Sequence, residues 1–412
     1  MNKLPDGWTF VSLGQLGQWG SGGTPTRTNA AYYNGGTIPW LVIGDLTDGY
    51  VHQSQTYITQ EGLNSSSAKL IPVGTLLVAM YGSIGKLGIT ATECATNQAI
   101  AFCRVDFRVV TLKYLFHALY WAKPALLSLG QGGAQQNISQ KVLKNFQIQV
   151  APLKEQTRIA DQLDILLARV NACNSHLEVI PDILKRFRRA VLRTAMSGVN
   201  TSEWQSSTIG QVALNLRYGT SKKCDYRPDG MGVLRIPNIT AAGIIDAANL
   251  KRAEFDKVEI DKLALEAGDL LVIRSNGSLD LVGKCGLVTK KEAGLLFAGY
   301  LIRLRINPLL LRSKFVHYWL MAPAQREKIE ILAKSTSGVN NLNAEELKSI
   351  ALKFPALHEQ DQVIQQIEQM LALVDHVRAR HVNLQTHAQR LAPQLLAKAF
   401  RGELLEQNGA VA

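Results

Sequence analysis

The chain repeats itself. Sliding the 412-residue sequence along itself brings Trp8 onto Trp204 and Leu13-Gly14-Gln15-Leu16 onto Ile209-Gly210-Gln211-Val212, both at an offset of 196. Ile38-Pro39 meets Ile236-Pro237 at 198, and Val73-Gly74-Thr75-Leu76-Leu77-Val78 meets Ala267-Gly268-Asp269-Leu270-Leu271-Val272 at 194. Gly85-Lys86-Leu87-Gly88 meets Gly283-Lys284-Cys285-Gly286 at 198, and Asn137, Leu143 and Glu155-Gln156 meet Asn341, Leu347 and Glu359-Gln360 at 204. One short match arises by chance, but a collinear series reads as a tandem duplication, and each copy is long enough to bury a core of its own.

The offset wanders before residue 140, as expected where loops gain and lose residues, then settles at 204. A fixed offset marks a segment that tolerates no insertion, and periodicity shows why. Ile159, Leu163, Leu166, Val170, Cys173, Leu177, Ile180, Leu184, Phe187 and Val191 step by four and three. Val363, Ile367, Met370, Val374, Val377, His381, Leu384, Ala388, Leu391 and Leu395 repeat them at 204. Such a seam predicts a long coiled-coil helix in each copy, stopped near Gly198 and Gly402, with a kink or a break and restart at Pro181 and again at Pro393.

Outside the helices, short apolar runs at 75–80 and 270–273 predict strands and 112–122 and 313–320 predict short helices, among Gly, Asn and Ser clusters. The expected fold class is α+β: a tandem duplication of a globular α/β domain followed by a long helix, the two helices forming an antiparallel coiled coil with pseudo-twofold symmetry. The expected boundaries are 1–152, 153–198, 199–355, 356–405 and a short tail at 406–412.

The net charge of +12 favours an anionic partner such as nucleic acid. Five scattered cysteines without a Cys-x-x-Cys pair argue against a zinc site or a disulfide framework and suit a reducing cytosol. The N-terminal residues hold no apolar signal core, and no run reaches the roughly 18 apolar residues of a membrane span, so a cytoplasmic location is expected.

Catalytic patterns are missing. Gly82-Ser83-Ile84-Gly85-Lys86 and Gly283-Lys284-Cys285 lack the spacing and hydroxyl of a phosphate-binding loop, His358-Glu359-Gln360 lacks the second histidine of a zincin helix, and no adjacent prolines form the motif of an amino-methyltransferase. No catalytic residue, metal site or cofactor is therefore expected in this chain.

Polar and basic side chains on Gly-rich loops are present instead. Gly23-Thr24-Pro25-Thr26-Arg27 in copy one corresponds in place to Tyr218-Gly219-Thr220-Ser221-Lys222-Lys223 in copy two, and Tyr81-Gly82-Ser83 to Asn276-Gly277-Ser278, with Arg274 just before. Gln135, Gln136 and Asn137 correspond to Val339, Asn340 and Asn341, and Lys86, Arg235 and Lys284 complete the candidates for DNA contact. Arg, Asn and Gln can read base edges with two hydrogen bonds, whereas Lys, Ser and Thr mostly bind phosphates. The run Lys185-Arg186-Phe187-Arg188-Arg189 with Arg193 fits either a solvated face or contact with DNA phosphates or an acidic partner.

Pro152-Leu153-Lys154-Glu155-Gln156 leading into Ile159-Ala160-Asp161-Gln162-Leu163-Asp164, the run Ile183-Leu184-Lys185-Arg186-Phe187-Arg188, the run from Leu396 to Leu404, and Gly268-Asp269-Leu270-Leu271 with Asn276-Gly277-Ser278 complete a pattern that covers nearly the whole chain. It resembles the specificity subunits of type I restriction–modification systems, of the enterobacterial-type branch. The resemblance implies a non-catalytic DNA-binding subunit whose two target-recognition domains each read half of an asymmetric two-part site, on helices that set the spacer and dock two modification subunits. S-adenosylmethionine would belong to those subunits, and ATP with Mg to the restriction subunits. A coiled-coil scaffold without DNA reading, or the specificity subunit of a related phage-defence complex, would share much of this pattern.

Overall fold

The computed structural model describes residues 4–131, 136–197, 204–226, 228–334 and 339–405. Gln135, Gly198 and the tail 406–412 lie outside them. The chain divides into two units, one of Met1–Glu178 with Asn383–Ala412 and the other of Val179–Val382.

In the first unit a five-stranded sheet runs in the order Gly17–Ser21, Ile100–Val105, Leu76–Ala79, Leu87–Thr90, Gly49–Val51, antiparallel except for the last pair. Its central strand Leu76–Ala79 is apolar throughout because both faces are covered. Leu76 and Val78 point into one core with helix Leu112–Ser128, and Leu77 and Ala79 into another with Leu41, Leu46 and Ile71. A three-stranded sheet of Tyr57–Ile58, Ile38–Leu41 and Ala95–Thr96 adjoins it, and Thr9–Ser12 pairs with Gln147–Val150.

The second unit repeats the plan. Its sheet runs Ala213–Tyr218, Leu301–Ile306, Leu270–Ile273, Cys285–Leu287, with Leu270 and Val272 on one core and Leu271 and Ile273 on the other. Tyr–Ile, Ile–Leu and Ala–Thr strands of the first copy become Lys251–Ala253, Met231–Leu234 and Leu296–Phe297. The covering helix is split at Ala322 into Ser313–Met321 and Pro323–Ala333, since a proline begins the second piece where the first copy continues.

Each copy ends in a long helix, the central one at Leu153–Met196 (44 residues) and the distal one at Leu357–Ala399 (43 residues). In the first unit the start of the central helix (Ile159, Ala160, Leu163) and the end of the distal helix (Leu396, Ala399, Phe400) share one core. In the second, Leu192 near the end of the central helix shares a core with Ile364, Ile367 and Leu371 near the start of the distal one. The helices are therefore antiparallel, and each unit completes its core with the far end of the other copy's helix.

Two expectations are corrected. Neither helix shows the break and restart left open at Pro181 and Pro393; both prolines are exposed, so the ring lies in solvent and water can satisfy the backbone group left over. The buried stripe also departs from the expected seam by one residue at several positions. Cys173 and Phe187 are exposed while Asn174 and Arg188 turn partly inward. In the distal helix Met370, Leu384 and Leu391 are 47%, 56% and 41% exposed, and Leu371, Gln385 and Ala392 take the inward places, while His381 and Ala388 stay buried as expected. The other seam candidates, Ile159, Leu163, Leu166, Val170, Leu177, Leu184, Val363, Ile367 and Val374, are buried or half-buried. Among the described residues no helix is long and apolar enough to cross a membrane.

Candidate nucleic-acid interface

The loops around Tyr81 and Asn276 singled out in sequence lie at one end of each sheet, where the inner strands Leu76–Ala79 and Leu270–Ile273 finish. In the first unit Tyr81 bridges to Asn137, the Gly82 amide donates to the Gln136 carbonyl at 3.0 Å, and the Ile138 amide donates to the Met80 carbonyl at 2.9 Å. In the second, Ser275–Asn276 pairs with Asn340–Asn341, and the Leu342 amide donates to the Arg274 carbonyl at 2.7 Å. The same ladder thus joins the same two segments in both copies. It places Tyr81 opposite Ser275 rather than Asn276, so the offset of 194 carries on into the loop and returns to 198 at Gly85 and Gly283. Both glycines hold positive φ, 75° and 78°, which an L side chain rarely adopts. The four extra residues in copy two form the turn that includes Leu279–Leu281.

A third segment, unmarked in sequence, lies against these loops. The Met80 amide donates to the Ala99 carbonyl at 2.8 Å, and the Arg274 amide to the Tyr300 carbonyl at 3.0 Å. A fourth runs in at Gly22-Gly23 and Gly219-Thr220, where the Gly23 and Thr220 amides donate to Thr96 and Phe297 carbonyls at 2.9 Å. A Cβ on Gly22 would sit 1.8 Å from the Thr96 oxygen, and one on Gly219 would sit 2.2 Å from that of Phe297, so close backbone approach demands glycine at both.

The candidates fare differently within this frame. Tyr81, Ser83, Gln136, Asn137, Lys223 and Ser278 are exposed, as is Arg27. Thr24 is half-buried and its hydroxyl donates to Gln98 Oε1. Several cations are already engaged. Lys86 Nζ reaches the Ile43 and Gly44 carbonyls at 3.3 and 3.5 Å, and Lys284 pairs with Asp280 at 3.2 Å. Lys222 pairs with Glu259 at 3.3 Å and covers the Phe255 ring. Arg235 Nη2 donates to the Tyr226 hydroxyl at 3.2 Å, and that bond holds the phenol below its ordinary range. Asn276 Oδ1 accepts from the Ser278 amide at 2.8 Å, and Asn340 Nδ2 donates to the Gly277 carbonyl at 3.0 Å, so these two shape the loop as well as face outward.

Side chains that sequence reasoning passed over include Gln98 and the 65% exposed Tyr300; Tyr218, legible only as the start of a loop, has its ring 4.4 Å beneath the Arg274 guanidinium. Their signal was weak because each sits beside an apolar strand and gains its place from a distant segment. Arg188 of the basic run is half-buried and donates to the Ala242 carbonyl at 2.8 Å, a structural role within the second unit. Among the described residues no group of His, Cys, Asp or Glu is arranged to hold a metal ion.

Two unlike loops on one repeated frame suit a module that recognises two different things in the same way. The family model described as the type I restriction modification DNA specificity domain matches residues 5–180 and again 201–380. The chain belongs to this family. It is 30% identical over 427 residues to the type I restriction enzyme EcoKI specificity subunit of Escherichia coli strain K12, covering 98% of this chain and 91% of that protein. It is 29% identical to the StySPI specificity subunit of Salmonella potsdam over the same shares. A solved chain of a type I R-M system superposes with a TM-score of 0.77 at 17% identity, covering 98% of this chain and all (100%) of that one. The HsdS subunit from Thermoanaerobacter tengcongensis gives 0.63 at 17%, covering 98% of each. These two likenesses bear on the fold. As a type I specificity subunit the chain is the non-catalytic recognition part of a multisubunit complex, with two target-recognition domains.

Proposed function

We propose that the loop layer of each domain reads one half of an asymmetric, two-part DNA site, the first domain spanning 1–152 and the second 199–355. The observation that carries this reading is the repeated ladder, Tyr81 to Asn137 and Ser275 to Asn341, which presents different side chains on one frame. Fixed backbone with variable polar loops is what base reading in a major groove requires. The surplus of +12 supplies the sequence-independent attraction to phosphates.

The segments 153–198 and 356–405 serve as ruler and dock. A 44-residue helix is about 66 Å long, against ~34 Å for one turn of DNA, enough to set the spacing of two half-sites. Exposed Ile165, Val179, Ile183 and Leu373 on these helices are apolar surface that a bound partner would cover. The partners are two modification subunits, which bind S-adenosylmethionine and methylate adenine, and restriction subunits that use ATP and Mg, all in the cytoplasm. A scaffold that reads no DNA gives no reason for two equivalent loop layers.

The test is the genome-wide pattern of N6-methyladenine in a host with and without this gene. Loss of methylation at one bipartite motif on deletion is the expected result. An unchanged pattern in a host whose modification subunits are active contradicts the reading.

A further inference from the structure

The base-reading candidates are not equal, because most are tied to neighbours and one is held without being used up. Arg274 follows the strand Leu270–Ile273 and has its backbone clamped on both sides, by the Tyr300 carbonyl at 3.0 Å and the Leu342 amide at 2.7 Å. Its guanidinium lies over the Tyr218 ring, 4.4 Å from the centroid, and Nε donates to Asn341 Oδ1 at 3.4 Å. Tyr218 is fixed in turn, since its hydroxyl accepts from the Ala344 amide at 2.7 Å. Among the described residues neither Nη of Arg274 has a hydrogen-bond partner. Four other arginines of this unit are committed: Arg303 to the Ala264 carbonyl and Asn215, Arg305 to Asp269 and Glu266, Arg312 to Asp361, and Arg326 to the Asp280 carbonyl and Glu330.

We propose that Arg274 reads a guanine in the half-site of the second domain, with Tyr218 and Asn341 as the residues that position its fork. The inference rests on the reading of these loops as the DNA-facing layer. Stacking and a bond to Nε fix the plane of the guanidinium while leaving its outer donors open. Two parallel donors with no acceptor match one base edge in the major groove, the adjacent O6 and N7 of guanine. The first copy carries Met80 at the same rung of the ladder, 3% exposed, with equivalent backbone bonds to Ala99 and Ile138. The reader is therefore peculiar to the second domain, and the duplicated frame holds different chemistry at one position.

The test is selection of bound duplexes from a randomised library by the specificity subunit assembled with its modification subunits. The wild type is expected to select a G·C pair in the second domain's half-site. Arg274→Ala and Arg274→Lys should lower the preference at that pair on the order of 10- to 100-fold and leave the other positions alone. Tyr218→Leu should relax the same pair, and Tyr218→Phe, which keeps the ring, should restore most of the preference. The lysine variant keeps charge and stem, so it carries the test should the alanine variant fail to assemble. Uniform weakening across all sequences, or an unaltered consensus, overturns the proposal. Asn276→Ala with Asn340→Ala separates the two levels. If that variant changes the half-site and Arg274→Lys does not, only the arginine's role falls; if neither changes it, the loop layer itself is not the reader.

Discussion

Gln156 and Gln360 make the same three hydrogen bonds in the two copies. Gln156 Oε1 accepts from the Thr111 amide at 2.8 Å, and its Nε2 donates to the Ala151 and Val109 carbonyls at 2.8 and 3.0 Å. Gln360 Oε1 accepts from the Arg312 amide at 2.8 Å, and its Nε2 donates to the Pro355 and Leu310 carbonyls at 2.8 and 3.1 Å. Both side chains are fully buried at 0% exposure. One amide thus ties the start of each long helix to the end of the last strand and to the entry of the covering helix, which fixes the direction in which the helix leaves its domain.

Replacing Gln156 by Leu should therefore act well beyond one side chain. The similar volume keeps the packing, but one amide and two carbonyls lose their partners inside the protein. At about 1 kcal/mol or more each, the first unit is expected to lose about 3 kcal/mol, and Gln360→Leu should do the same to the second. Hydrogen exchange checks this: protection around 109–111 should fall in the first variant and around 310–312 in the second. Unchanged protection would contradict the clamp.

His317 gives the second unit a pH dependence. The ring lies beneath Gly243 with Nδ1 3.4 Å from Cys285 Sγ, and burial, with Arg188 and Lys314 nearby, pushes its pKa down to about 4. The unfolded chain has the ordinary value near 6.5, so the unfolded state binds more protons between the two. The stability of the neutral ring is complete above pH 6.5 and is lost as the pH falls toward about 4, by about 3 kcal/mol in full. Denaturant unfolding at pH 7.5 and 4.5 should show this loss in the wild type and a smaller one in His317→Gln. Equal losses in both would contradict it.

Much of this was legible in the sequence. The duplication located the strands, the short helices and both long helices, and it singled out Tyr81 to Ser83 with Gln136 and Asn137 as counterparts of 276–278 with 340 and 341, one residue out of step with the ladder, which sets Tyr81 in the place of Ser275. Other features could not be read along the chain. The heptad pattern misplaced Met370, Leu384 and Leu391, where the inward place passes to the next residue, Leu371, Gln385 and Ala392. Lys86 and Lys284 read as candidates for DNA contact, and only the fold shows their ammonium groups on carbonyls and on Asp280. Tyr218 was legible only as the start of a polar loop, because its partner Arg274 lies 56 residues on and only folding stacks the two. The completion of each unit by the other copy's helix leaves no local signature at all.

The ruler role of the helices predicts that spacing and recognition separate. Four residues inserted after Ala168 add about 6 Å and close to one turn, so the apolar stripe returns to nearly the same face. The expected result is a changed spacer with both half-sites preserved, read from the methylated motif. Altered half-sites would contradict the division of labour.

The most direct test of the account is the N6-methyladenine map of a host carrying the complex with Gln136→Ala and Asn137→Ala in one strain and Asn276→Ala and Asn340→Ala in another. Each pair should change or relax one half of the bipartite motif and leave the other half intact, and the halves should differ between the strains. A change in both halves from either pair, or in neither half from both, would contradict the assignment of one loop layer to one half-site.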